Sequence, residues 1–369
     1  MSTGGAEIHS VPGSVPEDGG VNMAALERRL LQWGYRLDGK GLRLLAGDGS
    51  DRLFYRLRQA HGSYVVLVSP RRKEPIDEND AVWHIGRHLH RIGVPVPGML
   101  HADVHEGVFV FQDLGSVHLY DLVQRGPCRN RLRTLYREAV KVLVRCQRRA
   151  WKGFSSTWCH DGSHYDANFV YERELLYFRN AFLEGLMGLQ PPPLEVDMDF
   201  QRLALKAGED RFGLVFHRDF QSRNLMVFQG SMWVIDFQGM RFGPPEYDLA
   251  ALLLDPYAML PLWLREELVQ LYWRHMKDLL GGSYTLFRER LATVALCRCF
   301  QFLAAFAYLG MVKRKRDFLR HIPAGWHRLQ ELLGGDLGAV YPGLCRYLQR
   351  SPVFEYLSER IGAAMEAQV

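Results

Sequence analysis

One stretch constrains this chain more than any other: His217 to Asp236, HRDFQSRNLMVFQGSMWVID. It opens on His217-Arg218-Asp219, and Asn224 stands five positions after Asp219. Leu225 to Phe228 reads as a short apolar strand, Gln229 to Ser231 as a turn, and Met232 to Ile235 as a second strand that delivers Asp236 at its end. Phosphoryl transfer from ATP needs a carboxylate to accept the proton of the attacking hydroxyl. It also needs a second carboxylate and an amide oxygen to hold the metal ions that bridge the phosphates. The pattern H-R-D-x-x-x-x-N followed by D-F supplies these groups in that order. Asp219 is the candidate base. Asn224 and Asp236 are the candidate ligands for Mg2+, a hard ion suited to oxygen donors. Arg218 is expected to anchor the loop.

At 369 residues the chain suits two lobes. Its 47% hydrophobic and 24% charged residues are those of an ordinary globular protein with a sizeable core. A net charge of +5 fits a cleft for a polyphosphate, and no basic run is interleaved with aromatics as nucleic-acid binding favours. Cysteines 128, 146, 159, 297, 299 and 345 form no CxxC and read as buried, reduced thiols of a cytoplasmic protein. Residues 1–22, rich in Gly, Ser and Pro, read as a flexible tail without the apolar core of a signal peptide. No apolar run is expected to span a membrane.

Residues 23–115 read as a first lobe. A helix from Ala24 to Trp33 is followed by strands at Leu42–Ala46, Leu53–Arg58 and Tyr64–Ser69, which suit an antiparallel sheet. The turn Gly47-Asp48-Gly49-Ser50-Asp51-Arg52 can lay backbone N–H groups over phosphates, with Gly47, Gly49, Ser50 and Arg52 as candidate contacts. The third strand lacks the lysine of protein-kinase-like lobes, and Arg71, Arg72 and Lys73 at its end are candidate substitutes. In the helix from Asp77 to about Ile92, Glu78 and Asp80 are read first as dipole-favoured acids of the opening turn, and second as cation partners. Phe109–Phe111 forms a strand. The segment after it, with Gln112 and Leu114, is expected to face an adenine edge, and Asp113 either joins it or caps the next helix.

Residues 116–369 read as a mainly helical second lobe, with helices near 130–149, 168–188, 197–209, 260–280, 287–309 and 323–334. The fold class is therefore α+β. Only 11 residues separate Asp236 from Asp248, too few for a peptide-binding activation loop. Asp248 is expected to steady the catalytic loop through backbone contacts, to cap a helix, or both. The run Lys313–Arg316 reads as a solvated face.

The second-lobe pattern, HRDFQSRNLM and then WVIDFQGMRFGPPEYDLAALLLDPY, resembles the aminoglycoside phosphotransferase and choline kinase superfamily. It looks most like the bacterial branch of N-acetylmuramate/N-acetylglucosamine kinases, over roughly Ala24 to Leu332, with GDGSDRLFYRL and FQDLGS as further anchors. The resemblance implies a bilobal protein-kinase-like fold that uses ATP and magnesium, with Asp219 as base and Asn224 and Asp236 on the metal. It also implies a branch that tends to lack the third-strand lysine. The expected activity is a small-molecule kinase for a sugar or amino sugar, with ATP between the lobes. A nucleotide-binding pseudo-kinase or partner-binding module is the alternative, and an aminoglycoside- or choline-type acceptor is less expected. Acceptor contacts are sought around Asp166–Tyr177 and in the 300s, with Glu172, Glu174 and Gln301 as candidates.

Overall fold

The computed structural model describes residues 22–37, 42–45, 52–71, 76–209, 213–350 and 353–366. Gly47, Gly49, Ser50, Arg72, Lys73 and most of the expected tail lie outside them. By internal packing the chain falls into two compact units, Met1–Pro70 with Leu100–Phe111, and Arg71–Met99 with Gln112–Val369.

In the first unit, α1 (Met23–Gln32) is capped by Asn22, whose Oδ1 accepts the Ala25 N–H at 3.1 Å. Strands β1 (Leu42–Leu45), β2 (Leu53–Gln59), β3 (Gly62–Val68), β4 (Met99–Asp103) and β5 (Val108–Gln112) form one antiparallel sheet in the order β1-β2-β3-β5-β4. On β2 every second residue, Tyr55 and Leu57, points inward, as a half-buried strand requires; β5 is buried on both faces, with Val108 and Val110 on this one. These close on Leu26 and Leu30, one helical turn apart on α1. Strand β4 was not expected. Its sequence, MLHAD, carries polar residues and leaves Leu100 49% exposed, so it lacks the alternation that marks a strand.

The second unit begins with α2 (Glu78–Arg91), capped by a reciprocal box between Asp77 and Asp80. Helices α3 (Leu119–Gln124) and α4 (Arg129–Ala150) follow. The helix expected over 168–188 begins as α5 (Ala167–Val170) and continues largely in π geometry over Tyr171–Leu175 and Phe178–Leu186. After α6 (Leu194–Ala207) come the short pair β6 (Val215–Phe216) and β9 (Arg241–Phe242), and between them the hairpin β7 (Leu225–Phe228) and β8 (Ser231–Val234). Helices α7 (Glu246–Leu253), α8 (Leu262–Leu280), α9 (Tyr284–Met311), α10 (Ile322–Leu333), α11 (Asp336–Val340), α12 (Pro342–Arg350) and α13 (Val353–Glu366) complete it.

The core of this unit is α9, which α6, α7, α10 and the π segment all pack against. Its 28 residues, with a mean hydropathy of 1.6 in the most apolar window, are long and apolar enough to cross a membrane. That corrects the expectation that no such run exists, but 72% of the window is buried inside the fold. The thiols need a second correction. Cys146, Cys159, Cys297 and Cys299 are buried, whereas Cys128 is exposed where the chain enters α4 and Cys345 is half-buried.

Candidate active site

The hairpin fixes the register of the site. Gln229 and Gly230 both take positive φ, 49° and 75°, the two-residue turn whose twist suits a hairpin. Leu225 then faces Val234, and one step beyond the ladder the Ile235 N–H donates to the Asn224 carbonyl at 3.0 Å. Asn224 and Asp236 are thus neighbours despite twelve positions of sequence. The Asn224 amide nitrogen donates to the backbone carbonyl of Asp219 at 2.9 Å, so its oxygen is the amide atom turned away from that loop. Asn224 thus ties the Asp219 backbone to the end of the hairpin that carries Asp236.

Two buried carboxylates hold the loop from below. Asp248 accepts the N–H of His217 at 2.7 Å and of Arg218 at 2.8 Å, and the Gln147 amide at 3.1 Å. It lies within the first turn of α7, whose cap position is Pro245, so its role is the backbone contact and not the cap. Burial pushes its carboxyl above the usual carboxylate range, against the pull of His217 and these hydrogen bonds. Asp255 accepts the Ser222 N–H at 2.8 Å and the Tyr257 N–H at 2.9 Å, and burial raises it likewise. Sequence reasoning missed Asp255, although it stands seven residues after Asp248 at the far end of the same helical stretch. The His217 ring donates to the Ile235 carbonyl at 3.0 Å and ties the loop to the end of the hairpin.

Arg218 sits at φ 81°, a left-handed conformation that a non-glycine residue adopts only when its surroundings hold it. Its guanidinium lies 6.0 Å from the Phe169 ring centre. Burial pulls its pKa down, but the charges around it, Asp219 first, outweigh that and raise it. Arg241, fully buried, packs 4.4 Å from the same ring and donates to the Asp161 carbonyl at 2.9 Å. Burial and then the nearby Arg218 lower its pKa to about 10.

Asp236 is also left-handed, at φ 64°. Gln238 donates to its Oδ1 at 2.9 Å and to Glu78 Oε1 at 3.2 Å, which links α2 to the candidate metal ligand. Phe237 packs under α2 so closely that a Cβ on Gly86 would lie 2.9 Å from its ring. Asp80 has a different part from Glu78: its carboxylate accepts the Asp77 N–H and lies 3.5 Å from Arg71.

A residue that the sequence reading passed over completes the group. Arg298 of α9, 2% exposed, donates to Asp219 Oδ1 at 2.9 Å. It also reaches Gln301 Oε1 at 2.7 Å and Gln221 Oε1 at 3.1 Å. Gln301 is therefore spoken for inside the protein. Glu174 is buried beneath the hydroxyls of Tyr165 and Tyr247, both at 2.6 Å, and its burial raises its carboxyl. Of the candidate acceptor contacts only Glu172 is exposed.

The described contacts of the expected nucleotide residues are local ones. The Gln112 N–H donates to the Gly98 carbonyl at 2.8 Å, and Leu114 is buried. Asp113 accepts the Gly115 N–H at 2.8 Å, a local turn, while α3 is capped at His118. Arg52, in the first unit, lies over the Phe54 ring at 5.8 Å. Among the described residues no three His, Cys, Asp or Glu side chains are grouped to hold a metal. One carboxylate and one amide oxygen, Asp236 and Asn224, still fit an ion that completes its shell with phosphate oxygens and water.

A model of the phosphotransferase enzyme family matches residues 41–306, well over half of the chain. The chain belongs to that family. The N-acetylmuramate/N-acetylglucosamine kinase of Neisseria meningitidis is 27% identical over 243 residues, 63% of this chain and 66% of the relative. The match thus spans just under two thirds of that relative's length. Among solved structures, a choline/ethanolamine kinase family protein from Mesorhizobium loti superposes with a TM-score of 0.56 at 16% identity, over 88% of this chain and 99% of its own. An amicoumacin kinase in complex with AMP-PNP and Ca2+ superposes with a TM-score of 0.57 at 13% identity, over 85% and 95%. The fold is theirs, the bilobal α+β kinase-like fold expected from the sequence.

Proposed function

We propose that this phosphotransferase moves the γ-phosphoryl group of ATP to a hydroxyl of a sugar or amino sugar. The reading is carried by the double hold on Asn224, whose amide bonds the Asp219 carbonyl and whose own carbonyl bonds the residue before Asp236. Asp219 accepts the proton of the acceptor hydroxyl as that hydroxyl's oxygen bonds to phosphorus and the bond from phosphorus to ADP breaks. Asn224 and Asp236 would hold Mg2+, which when bound neutralises charge on the phosphates. Arg218 and the buried Asp248 keep the loop in its left-handed turn. Gln112 and Leu114 are assigned to the adenine side, and Gly47, Gly49, Ser50 and Arg52 to the phosphates, on the sequence pattern. The nucleotide analogue and divalent ion named for the amicoumacin kinase support both co-substrate and metal. The acceptors named for the Neisseria relative make N-acetylmuramate and N-acetylglucosamine the first to try.

ADP release from magnesium-ATP, measured with N-acetylmuramate, N-acetylglucosamine, choline and an aminoglycoside, tests the reading. Transfer to an amino sugar is expected. Transfer to choline or the drug alone would replace the acceptor class, and nucleotide binding without transfer to any of them would favour a binding module.

A further inference from the structure

A charged group in the middle of an apolar core helix needs compensation for the water it has lost. Arg298 is that group on α9, and of the three side chains that accept its hydrogen bonds only Asp219 carries charge. Gln221 and Gln301 are neutral. Burial, the largest single effect, pulls the guanidinium's pKa down, but the Asp219 carboxylate and then Tyr247 together outweigh it and raise it. The two partners differ in depth: the Arg298 side chain is 3% exposed and that of Asp219 32%. The guanidinium therefore engages Oδ1 from the buried side, which leaves Oδ2 as the oxygen available to take a proton. An aspartate carboxylate rotates easily about its last torsion. A planar guanidinium itself held by Gln301 and Gln221 restrains that torsion through its bond to Oδ1, and a flexible ammonium would do so less.

We propose that Arg298, tethered by Gln221 and Gln301, is a positioning residue that sets the orientation of the Asp219 carboxylate for proton acceptance. The inference rests on the reading of Asp219 as the base. Its test uses the full chain with Asp219→Ala, Arg298→Gln, Arg298→Lys and the two double variants, each checked for folding by circular dichroism. Turnover is measured with magnesium-ATP and N-acetylglucosamine, or whichever acceptor of the panel turns over. Arg298→Gln should lower kcat by about 10²-fold, the cost of a misplaced reacting group, and leave the KM for magnesium-ATP unchanged. Arg298→Lys should fall between the two. In the Asp219→Ala background neither Arg298 change should lower kcat further, because no carboxylate is left to orient. Should Arg298→Gln fail to fold, Arg298→Lys carries the same comparison. Wild-type kcat in the Arg298 variants, or losses that multiply with that of Asp219→Ala, would overturn the proposal alone. Normal turnover in Asp219→Ala would instead remove the base assignment beneath it.

Discussion

Removing the Asp248 carboxylate should unsettle the catalytic loop without touching any group assigned to the chemistry. Asp248→Ala strips the backbone N–H groups of His217 and Arg218 of their acceptor in a place closed to water. Each orphaned donor costs about 1–3 kcal/mol. The left-handed turn at Arg218, at φ 81°, loses its restraint as well. Two such donors amount to about 2–6 kcal/mol. Asp248→Asn keeps the shape but has one accepting oxygen for two N–H donors, and should cost about half as much. Burial raises the Asp248 carboxyl above its ordinary 3.8 in the folded protein. Its contribution to stability is therefore fullest below that value and declines as pH climbs to the raised one, so Asp248→Asn should flatten that part of the profile. Urea unfolding followed by tryptophan fluorescence between pH 4 and 8, with kcat measured alongside, provides the assay. A displaced loop should also lower kcat by about 10²-fold. An alanine variant as stable and as active as the wild type would refute the reasoning.

Three further outcomes follow from the same geometry. Asp236→Ala should shift the Mg2+ concentration for half-maximal turnover upward by about 10-fold or more, and an unchanged Mg2+ titration would argue against its role as a ligand. Gln238→Ala, which cuts the link between Asp236 Oδ1 and Glu78, should raise the Mg2+ requirement more mildly while leaving the fold intact; a variant indistinguishable from wild type in that titration would make Gln238 a bystander. Burial, and then Arg223, lower the His321 pKa to about 4, so the stability tied to its neutral ring is present above 6.5 and lost as pH falls toward 4. His321→Phe should recover about 1–3 kcal/mol at pH 4–5, and equal acid sensitivity in both proteins would count against this.

The site was legible in the sequence where its geometry is local. Asn224 and Asp236 flank one hairpin, so the spacing of apolar runs and a two-residue turn already dictates that they meet. Asp248 was legible in part, because first-turn acids have two common uses and only the fold decides between them. Arg298 was hidden: it lies 79 residues after Asp219 in a mainly apolar helix, where only Gln301 had been singled out. Glu78 was hidden for the same reason, since its Gln238 partner is 160 residues away and helix-dipole chemistry already explained it. Strand β4 escaped because the stability of a polar strand comes from its neighbour in the sheet and leaves little trace in its own residues. The exposed Cys128 escaped because thiol burial is a habit of the residue type, while its position before α4 is a matter of topology.

In the proposed reaction Asp219, contacted by Asn224 and Arg298, accepts the proton of a sugar hydroxyl during transfer from ATP. Single-turnover transfer of labelled γ-phosphate to an amino sugar, compared between wild type and Asp219→Ala at saturating magnesium-ATP, tests it most directly. Rapid formation of a sugar phosphate is expected of the wild type, and a rate lower by about 10²–10⁴-fold of the variant, with nucleotide still bound. Equal rates in the two proteins, or nucleotide bound by the wild type with no phosphate passed to any acceptor, would contradict it.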